Sequence, residues 1–322
     1  METARERIAG RSVSRDARLS ARAFEGVIRP ALLLLSGASN FFHESHALQG
    51  LFDKINSAAD AVRARTHIQP RTGVILGTGL GDLADAMDVD AAVPYADIPH
   101  FVSSTTVGHK GNFVLGRLGG QPIVAMQGRL HYYEGYSMQE VTFPVRVMRA
   151  LGVEELIVFN AVGGMNPHFD LGDIVAVTDH INLMGDNPLI GWNDDRLGDR
   201  FPDMSEPYSR ACRARAETVA LELGIPLRRG VLVAVAGPNL ETAAEYRFLR
   251  RVGADIVGMS MVPETLVAVH AKMRVLGLCV VTDLCRPDAL EPVDIPRIIA
   301  TAQSAEPRLR KIIVEYLKRS SA

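Results

Sequence analysis

Between Met126 and Tyr136 the chain gathers an Arg, a His, a Glu and three Tyr, bracketed by Gly128 and Gly135. The apolar, β-branched run that leads into them, Gly120 to Met126, predicts a buried strand. Arg129, His131 and Tyr133 follow at alternate positions, and alternation along an extended chain puts side chains on one face. A guanidinium is a planar fork of donors that matches an oxyanion. With an imidazole and a phenol beside it, the set suits an anion and a hydroxylated ligand together. The plain alternative is a surface turn in which Arg129 pairs with Glu134.

Other residues point the same way. Gly77-Thr-Gly-Leu-Gly81 follows an apolar run and opens a helix, where glycine lets the backbone approach an anion and helix-start N–H groups attract it. It is not a dinucleotide fingerprint: Asp82 stands where the third glycine would be, and no GxxxxGK[ST] loop occurs. His109 lies in a glycine-flanked loop, Val107 to Gly111, where an imidazole is otherwise a solvated bystander. Asp283 ends the apolar run Val275 to Thr282, and a carboxylate at a strand's C-terminal end is a functional candidate in an open α/β sheet. Glu241 follows the turn Gly237 to Leu240 at a helix start, where a carboxylate also serves as a plain helix-end charge.

The elements that must position these groups alternate. Predicted strands are 73–77, 122–126, 155–159, 173–178, 230–235 and 275–282. Predicted helices are 138–151, 208–223, 241–252, 263–273 and 293–317, with a lead-in helix over 41–68. Such alternation argues for an α/β fold with a mostly parallel or mixed sheet. The stretch from Met184 to Met204 is too long for a plain connection, which marks it as functional.

Composition narrows the partners. The chain has 322 residues, 47% of them hydrophobic, and a formal net charge of -2. That is enough apolar material for a large core, and it offers no basic tract for nucleic acid. No apolar run is long enough to span a bilayer. Three cysteines without metal-ligand spacing fit a reducing, cytoplasmic setting. His43 and His46, with only Glu44 nearby, read as helix residues and not as a metal site. Residues 1–40 carry seven Arg between Arg5 and Arg29, few acids and much Ser and Ala. They read as a disordered extension, with the folded domain at 41–322.

From about 70 to 320 the chain resembles the trimeric purine nucleoside phosphorylases, a family that includes the methylthioadenosine phosphorylases. The resemblance rests on the Met126–Tyr136 segment and on blocks in order: Gly73–Gly81, Val107–Gly111, Thr142–Arg146, Asn160–Pro167, Gly172–Ile174, Asp179–Leu183, Gly198–Pro202, Ala236–Thr242 and Val257–Glu264. It implies a single α/β domain with a twisted, partly barrel-like mixed β-sheet flanked by helices, working as a homotrimer. The implied reaction is phosphorolysis of purine (deoxy)nucleosides to the free base and (deoxy)ribose 1-phosphate. Inorganic phosphate is the co-substrate, and no metal or organic cofactor is required.

The resemblance implies that phosphate is held by Thr78, His109, Arg129, Ser260 and the Ala161 amide. The ribose would meet His131, Tyr133 and Met259, with Glu134 orienting His131 or Arg129 from behind. The base would meet Glu241 and Asp283, with Leu240 where an aromatic is usual and Phe201 reaching in from a neighbouring subunit. His131, Glu241 and Asp283 are the implied catalytic groups. Two positions depart from the pattern. Asp283 stands where the 6-oxopurine-specific members carry Asn, and the methylthioadenosine branch, which has the Asp, lacks a Glu at position 241. Near Ile295 there is no His for the ribose 5′ position. A methylthioadenosine-like preference for 6-aminopurines is therefore an alternative. A nucleoside hydrolase and a non-catalytic nucleoside-binding protein are the alternatives of other classes.

Overall fold

Two long parallel strands hold the molecule together: β5 (Glu155–Gly164) and β9 (Arg274–Leu284). Both are nearly continuous runs of Val, Ile, Leu and small residues, and both are buried along almost their whole length. That pattern belongs to strands covered on both faces. The structure, a computed structural model, describes residues 38–105 and 110–319. Gly50–Ala322 forms one compact unit. The segment read as disordered, 1–40, lies outside the described residues except for 38–40. Those begin helix α1 (Ala38–Arg63), which ends before the predicted 68. The side chains of His43 and His46 also lie outside the described residues.

The nine strands run in the order β2-β3-β4-β1-β5-β8-β7-β6-β9, and β9 pairs back onto β5. Strands β5, β8 (Ile256–Gly258), β7 (Leu227–Val235), β6 (Ile174–Leu183) and β9 therefore close a five-stranded barrel. Strands β1 (Thr72–Ile75), β4 (Gln121–Gln127), β3 (Asn112–Leu118) and β2 (Asp88–Pro94) extend from β5 as an open wing. Parallel and antiparallel pairings are mixed, as the sequence predicts.

Three strands escaped the sequence reading, each for a local reason. Strand β2 is largely exposed, so it has no apolar signature. Strand β8 has three residues, too few for a period. Strand β3 is broken by Gly116, where a Cβ would collide with the Asp88 carbonyl of β2. Five of the six predicted strands are longer than expected, while β1 ends at Ile75, two residues early. Ala161 lies inside β5 and not just after it, and Asp283 is inside β9, one residue from its end.

The helices start on side-chain caps. Ser137 and Glu140 form a capping box for α2 (Met138–Ala150), and Thr242 and Glu245 form one for α4 (Ala243–Arg251). Asp294 caps α6 (Ile295–Lys318). Helix α3 (Arg210–Glu222) buries its cysteine, alanine and valine side against the sheet, and α5 (Val262–His270) is buried almost all round. Each predicted helix is present, with every end within three residues of the expectation except the C-terminus of α1. No helix among the described residues is long and apolar enough to cross a membrane.

Candidate active site

At one end of the barrel, next to the junction with the wing, is a cavity of about 600 Å³. It is lined by residues from the β1–β2 link, the ends of β5, β8 and β9, the turn before α4, and the start of α6. Thr78, His131, Tyr133, Ala161, Leu240, Glu241, Met259, Ser260 and Asp283 all face it. Nine of the expected site residues, scattered over the sequence, are therefore brought together. Four are not on its wall. Arg129 and Glu134 stand behind it, Phe201 is elsewhere on the surface, and His109 lies outside the described residues.

Arg129 is 1% exposed. Strand β4 ends at Gln127, and Gly128 (φ +109°) turns the chain so that the guanidinium enters the core. There Nη2 donates to the Phe159 carbonyl of β5 at 2.7 Å, and Nη1 donates to Ser260 Oγ. Nε lies 3.7 Å from Glu264 Oε1 on α5. Ser260 in turn donates to Asn160 Oδ1 at 3.0 Å. Asn160 lines the cavity and its buried Nδ2 has no partner, so an amide donor waits at the cavity wall. Arg129 backs this wall through Ser260, and a guanidinium, a hydroxyl and an amide so placed are groups that can receive an oxyanion. The alternation argument is corrected here: the chain past Gly128 is not a strand, and Arg129 does not share a face with His131 and Tyr133. Nor does Arg129 pair with Glu134.

His131 and Tyr133 belong to a 3-10 turn over Tyr132–Glu134. Their rings stack with centroids 4.7 Å apart and planes 16° from parallel. Glu134 accepts from the His131 backbone N–H at 2.7 Å, and its Oε1 is 3.4 Å from His131 Nδ1. It also accepts from the Thr105 N–H and hydroxyl, each at 2.6 Å. Burial works against its charge, but the hydrogen bonds from His131 and Thr105 outweigh it and hold the carboxyl well below the usual range. Burial pushes the His131 imidazole down, and Arg129 adds to that against the pull of Glu134. The ring is neutral near pH 7, and Glu134 favours the tautomer with hydrogen on Nδ1. Glu134 thus orients His131, not Arg129.

Met259 lies along the cavity floor against Gly237, where any Cβ would collide with its sulfur. The same cavity is lined by two carboxyls. Glu241 is not the helix cap that its position allows, because Thr242 and Glu245 already fill that role. It is left to the cavity. Burial pushes its carboxyl up; its own N–H and Tyr246 work against this, and the charge of Asp283 adds to the rise. Asp283 accepts from Thr282 Oγ1 at 3.1 Å and from Cys285 Sγ at 3.3 Å. Leu240 and Ile295 complete the apolar side. Phe201 is 88% exposed, in the long irregular stretch that also exposes Ile190 and Trp192.

Sequence reading missed Asn160, Glu264, Tyr246, Thr282 and Cys285. Asn160 and Glu264 sit inside blocks already singled out, one within β5 and one at a helix start, but residue type alone gave no reason to pick them from those blocks. Nothing local distinguishes Tyr246 or Cys285.

A barrel whose strand ends join an oxyanion wall to a pair of carboxyls defines a class, and comparison with known proteins gives the same one. The model of the phosphorylase superfamily matches residues 71–318. Purine nucleoside phosphorylase 1 of Bacillus subtilis is 49% identical over 261 residues, covering 81% of this chain and 96% of the relative. The mouse purine nucleoside phosphorylase is 44% identical over 269 residues, covering 81% and 93%. Among solved structures, the Schistosoma mansoni purine nucleoside phosphorylase in complex with adenosine superposes with a TM-score of 0.79 at 37% identity, covering 83% of this chain and 97% of that one. The same protein in complex with inosine gives 0.79 and 37%, covering 83% and 96%. The chain belongs to the phosphorylase superfamily, among the purine nucleoside phosphorylases.

Proposed function

We propose that the cavity performs phosphorolysis of purine ribo- and deoxyribonucleosides, yielding the free purine and (deoxy)ribose 1-phosphate. The observation that carries this is that one cavity gathers Ser260 and Asn160, backed by the Arg129 guanidinium, together with the Glu241–Asp283 pair. Phosphate is held by Thr78, His109, Arg129, Ser260 and the Ala161 amide. Holding the anion beside the sugar removes an entropic cost and stabilises an oxocarbenium-like centre as the glycosidic bond breaks. His131, Tyr133 and Met259 seat the ribose, and Glu134 keeps His131 in one orientation. Glu241 and Asp283 take up the charge growing on the leaving purine by hydrogen bonding and proton supply. These side chains supply the charges themselves, so the proposal adds no metal or organic cofactor; phosphate is the co-substrate.

The working unit is a homotrimer in which Phe201 completes a neighbour's site. Its 88% exposure supports this, since a large apolar ring left bare suits a contact with another subunit. A cytoplasmic location agrees with three buried, unpaired cysteines. The catalytic domain is 41–322.

Base preference is broad, with adenosine accepted beside inosine and guanosine. The Schistosoma mansoni relative forms complexes with both adenosine and inosine. An Asp283 that accepts from both Thr282 and Cys285 favours the 6-amino group of adenine. A methylthioadenosine-like reading is favoured further by the apolar wall at Ile295. Purine release from inosine and from adenosine, with and without phosphate, tests the whole assignment. Phosphate-independent release means a hydrolase, and binding without release means a binding protein. Asp283→Asn should move the kcat/KM ratio toward inosine and guanosine; an unmoved ratio removes Asp283 as the reader of the 6-position.

A further inference from the structure

A second cavity, of about 410 Å³, shares no residue with the catalytic one. Helix α1 supplies Phe52 and Ile55 to its wall, and α2 supplies Arg146 and Arg149. His270 ends α5, and residues 195–199 come from the irregular stretch that leads to Phe201. The charged residues of this wall are Arg146, Arg149, Asp195, Arg196, Asp199 and Lys272. All are exposed except Arg146, which is 9% exposed.

The exposed charges have protein partners. Arg196 lies over the Phe52 ring, 4.0 Å from its centroid, and its Nε donates to Asp194 Oδ1 at 2.8 Å. Lys272 pairs with Asp199 at 3.3 Å, and Arg149 donates to the Val153 carbonyl at 3.0 Å. Asp195 accepts from Asn193 Nδ2 at 2.8 Å. Arg146 has no such partner. Among the described residues its guanidinium makes no hydrogen bond and no ion pair within 4 Å, and Nη1 is a buried donor left unmatched. Burial pushes this group down to about 10, against the pull of Asp194, so it is still charged at neutral pH. His270, in the same wall, adds no charge. Burial pushes its imidazole down to about 4, helped by the Arg146 charge and opposed by Asp199, and Nε2 is held by Asn193 Oδ1 at 3.1 Å.

We propose that this cavity is a binding site for a small organic monocarboxylate, with Arg146 as its anchor. A buried guanidinium without a partner is costly, and a carboxylate is the group whose two oxygens match its fork of donors. Charge selects one negative charge over two. A single buried cation is unspent, while Asp195 and Asp199 line the same wall and Asp194 stands behind Arg196. A dianion such as phosphate meets twice the repulsion from these carboxylates that a monoanion meets. The wall also carries Phe52, Ile55, Leu197 and Ala271, which suit an apolar body attached to the carboxylate. The volume lies in the range of small-molecule sites. Nothing in this inference depends on the phosphorolysis reading, since the two cavities have no residue in common.

Benzoate is the probe, and benzamide is its uncharged counterpart. Titration calorimetry of the full chain at saturating phosphate should find one benzoate site per chain and no benzamide binding. Arg146→Met should weaken benzoate binding by about 10- to 150-fold, the range of a hydrogen bond to a charged group, while Arg129→Lys should leave it unchanged. Melting curves separate a binding role from a structural one. Without benzoate, Arg146→Met should melt at or above the wild-type temperature, because it removes a buried charge that no protein group pairs. With benzoate, the wild type should melt higher and Arg146→Met should not. A wild type that does not bind benzoate, equal binding of benzoate and benzamide, or benzoate binding that survives Arg146→Met or falls in Arg129→Lys overturns the proposal. So does an Arg146→Met variant that melts below the wild type without benzoate, since Arg146 would then be holding the fold.

Discussion

Arg129 is the residue whose replacement tells most about the phosphate side. Substitution by alanine would blur the result. Glu264 is 2% exposed, and losing the Arg129 guanidinium beside it strands a carboxylate in the core. Breaking a buried pair in that way costs about 3–5 kcal/mol of stability. Arg129→Lys keeps the charge beside Glu264 but not the fork. One ammonium cannot reach both the Phe159 carbonyl and Ser260 as the guanidinium does. The expected loss is one charge-assisted hydrogen bond at the anion wall, about 1.5–3 kcal/mol. That corresponds to a roughly 10- to 150-fold rise in phosphate KM, a matching fall in kcat/KM for phosphate, or both. Initial rates of inosine phosphorolysis over a phosphate series at saturating nucleoside would measure it, with a melting curve to confirm the fold. An Arg129→Lys variant with unchanged phosphate KM and kcat would refute the argument that this guanidinium charges the wall.

Phe201→Ala should weaken nucleoside binding and leave phosphate affinity nearly unchanged; light scattering that finds a fully active monomer would remove the neighbour's role. Glu134→Gln should lower kcat by about tenfold at neutral pH, because His131 loses the charged partner of its Nδ1 side. The Glu134 carboxyl is held below its usual value of 4.5, so its stabilisation is full above that value and is lost as pH falls through the lower folded value. Glu134→Gln should therefore be less stable than the wild type at neutral pH, and acid denaturation curves should converge at low pH. A chain beginning near Phe41 should keep its melting temperature and kcat, and a marked loss of either would mean that the first forty residues support the folded body.

The helices and central strands were legible because burial imposes periodicity. The run Leu156–Phe159 and the helix 138–151 announce themselves by apolar spacing and by the Ser137–Glu140 cap. Strand β2 could not be read, since an exposed wing strand leaves no apolar pattern. The site divides in the same way. Arg129, His131 and Glu241 are polar groups in marked contexts, so residue type singled them out, even though the argument that Arg129, His131 and Tyr133 share a strand face was wrong. Tyr246 and Cys285 are ordinary core residues until the fold brings a helix face and a strand end to the cavity, and no local spacing encodes that.

The parallel pairing of β5 with β9 has one more consequence. Asn160 of the anion wall and Gly163, which faces Asp283 across the register shift, lie on the same strand three residues apart. At the rise of an extended chain, that spacing is about 10 Å. Strand β5 therefore acts as a ruler: it sets the spacing along the cavity between Asn160 and the Asp283 carboxyl. A loop could drift to admit a longer or shorter substrate. A strand held by hydrogen bonds on both sides in a closed barrel cannot, so the span of this cavity is set by backbone and not by loop movement.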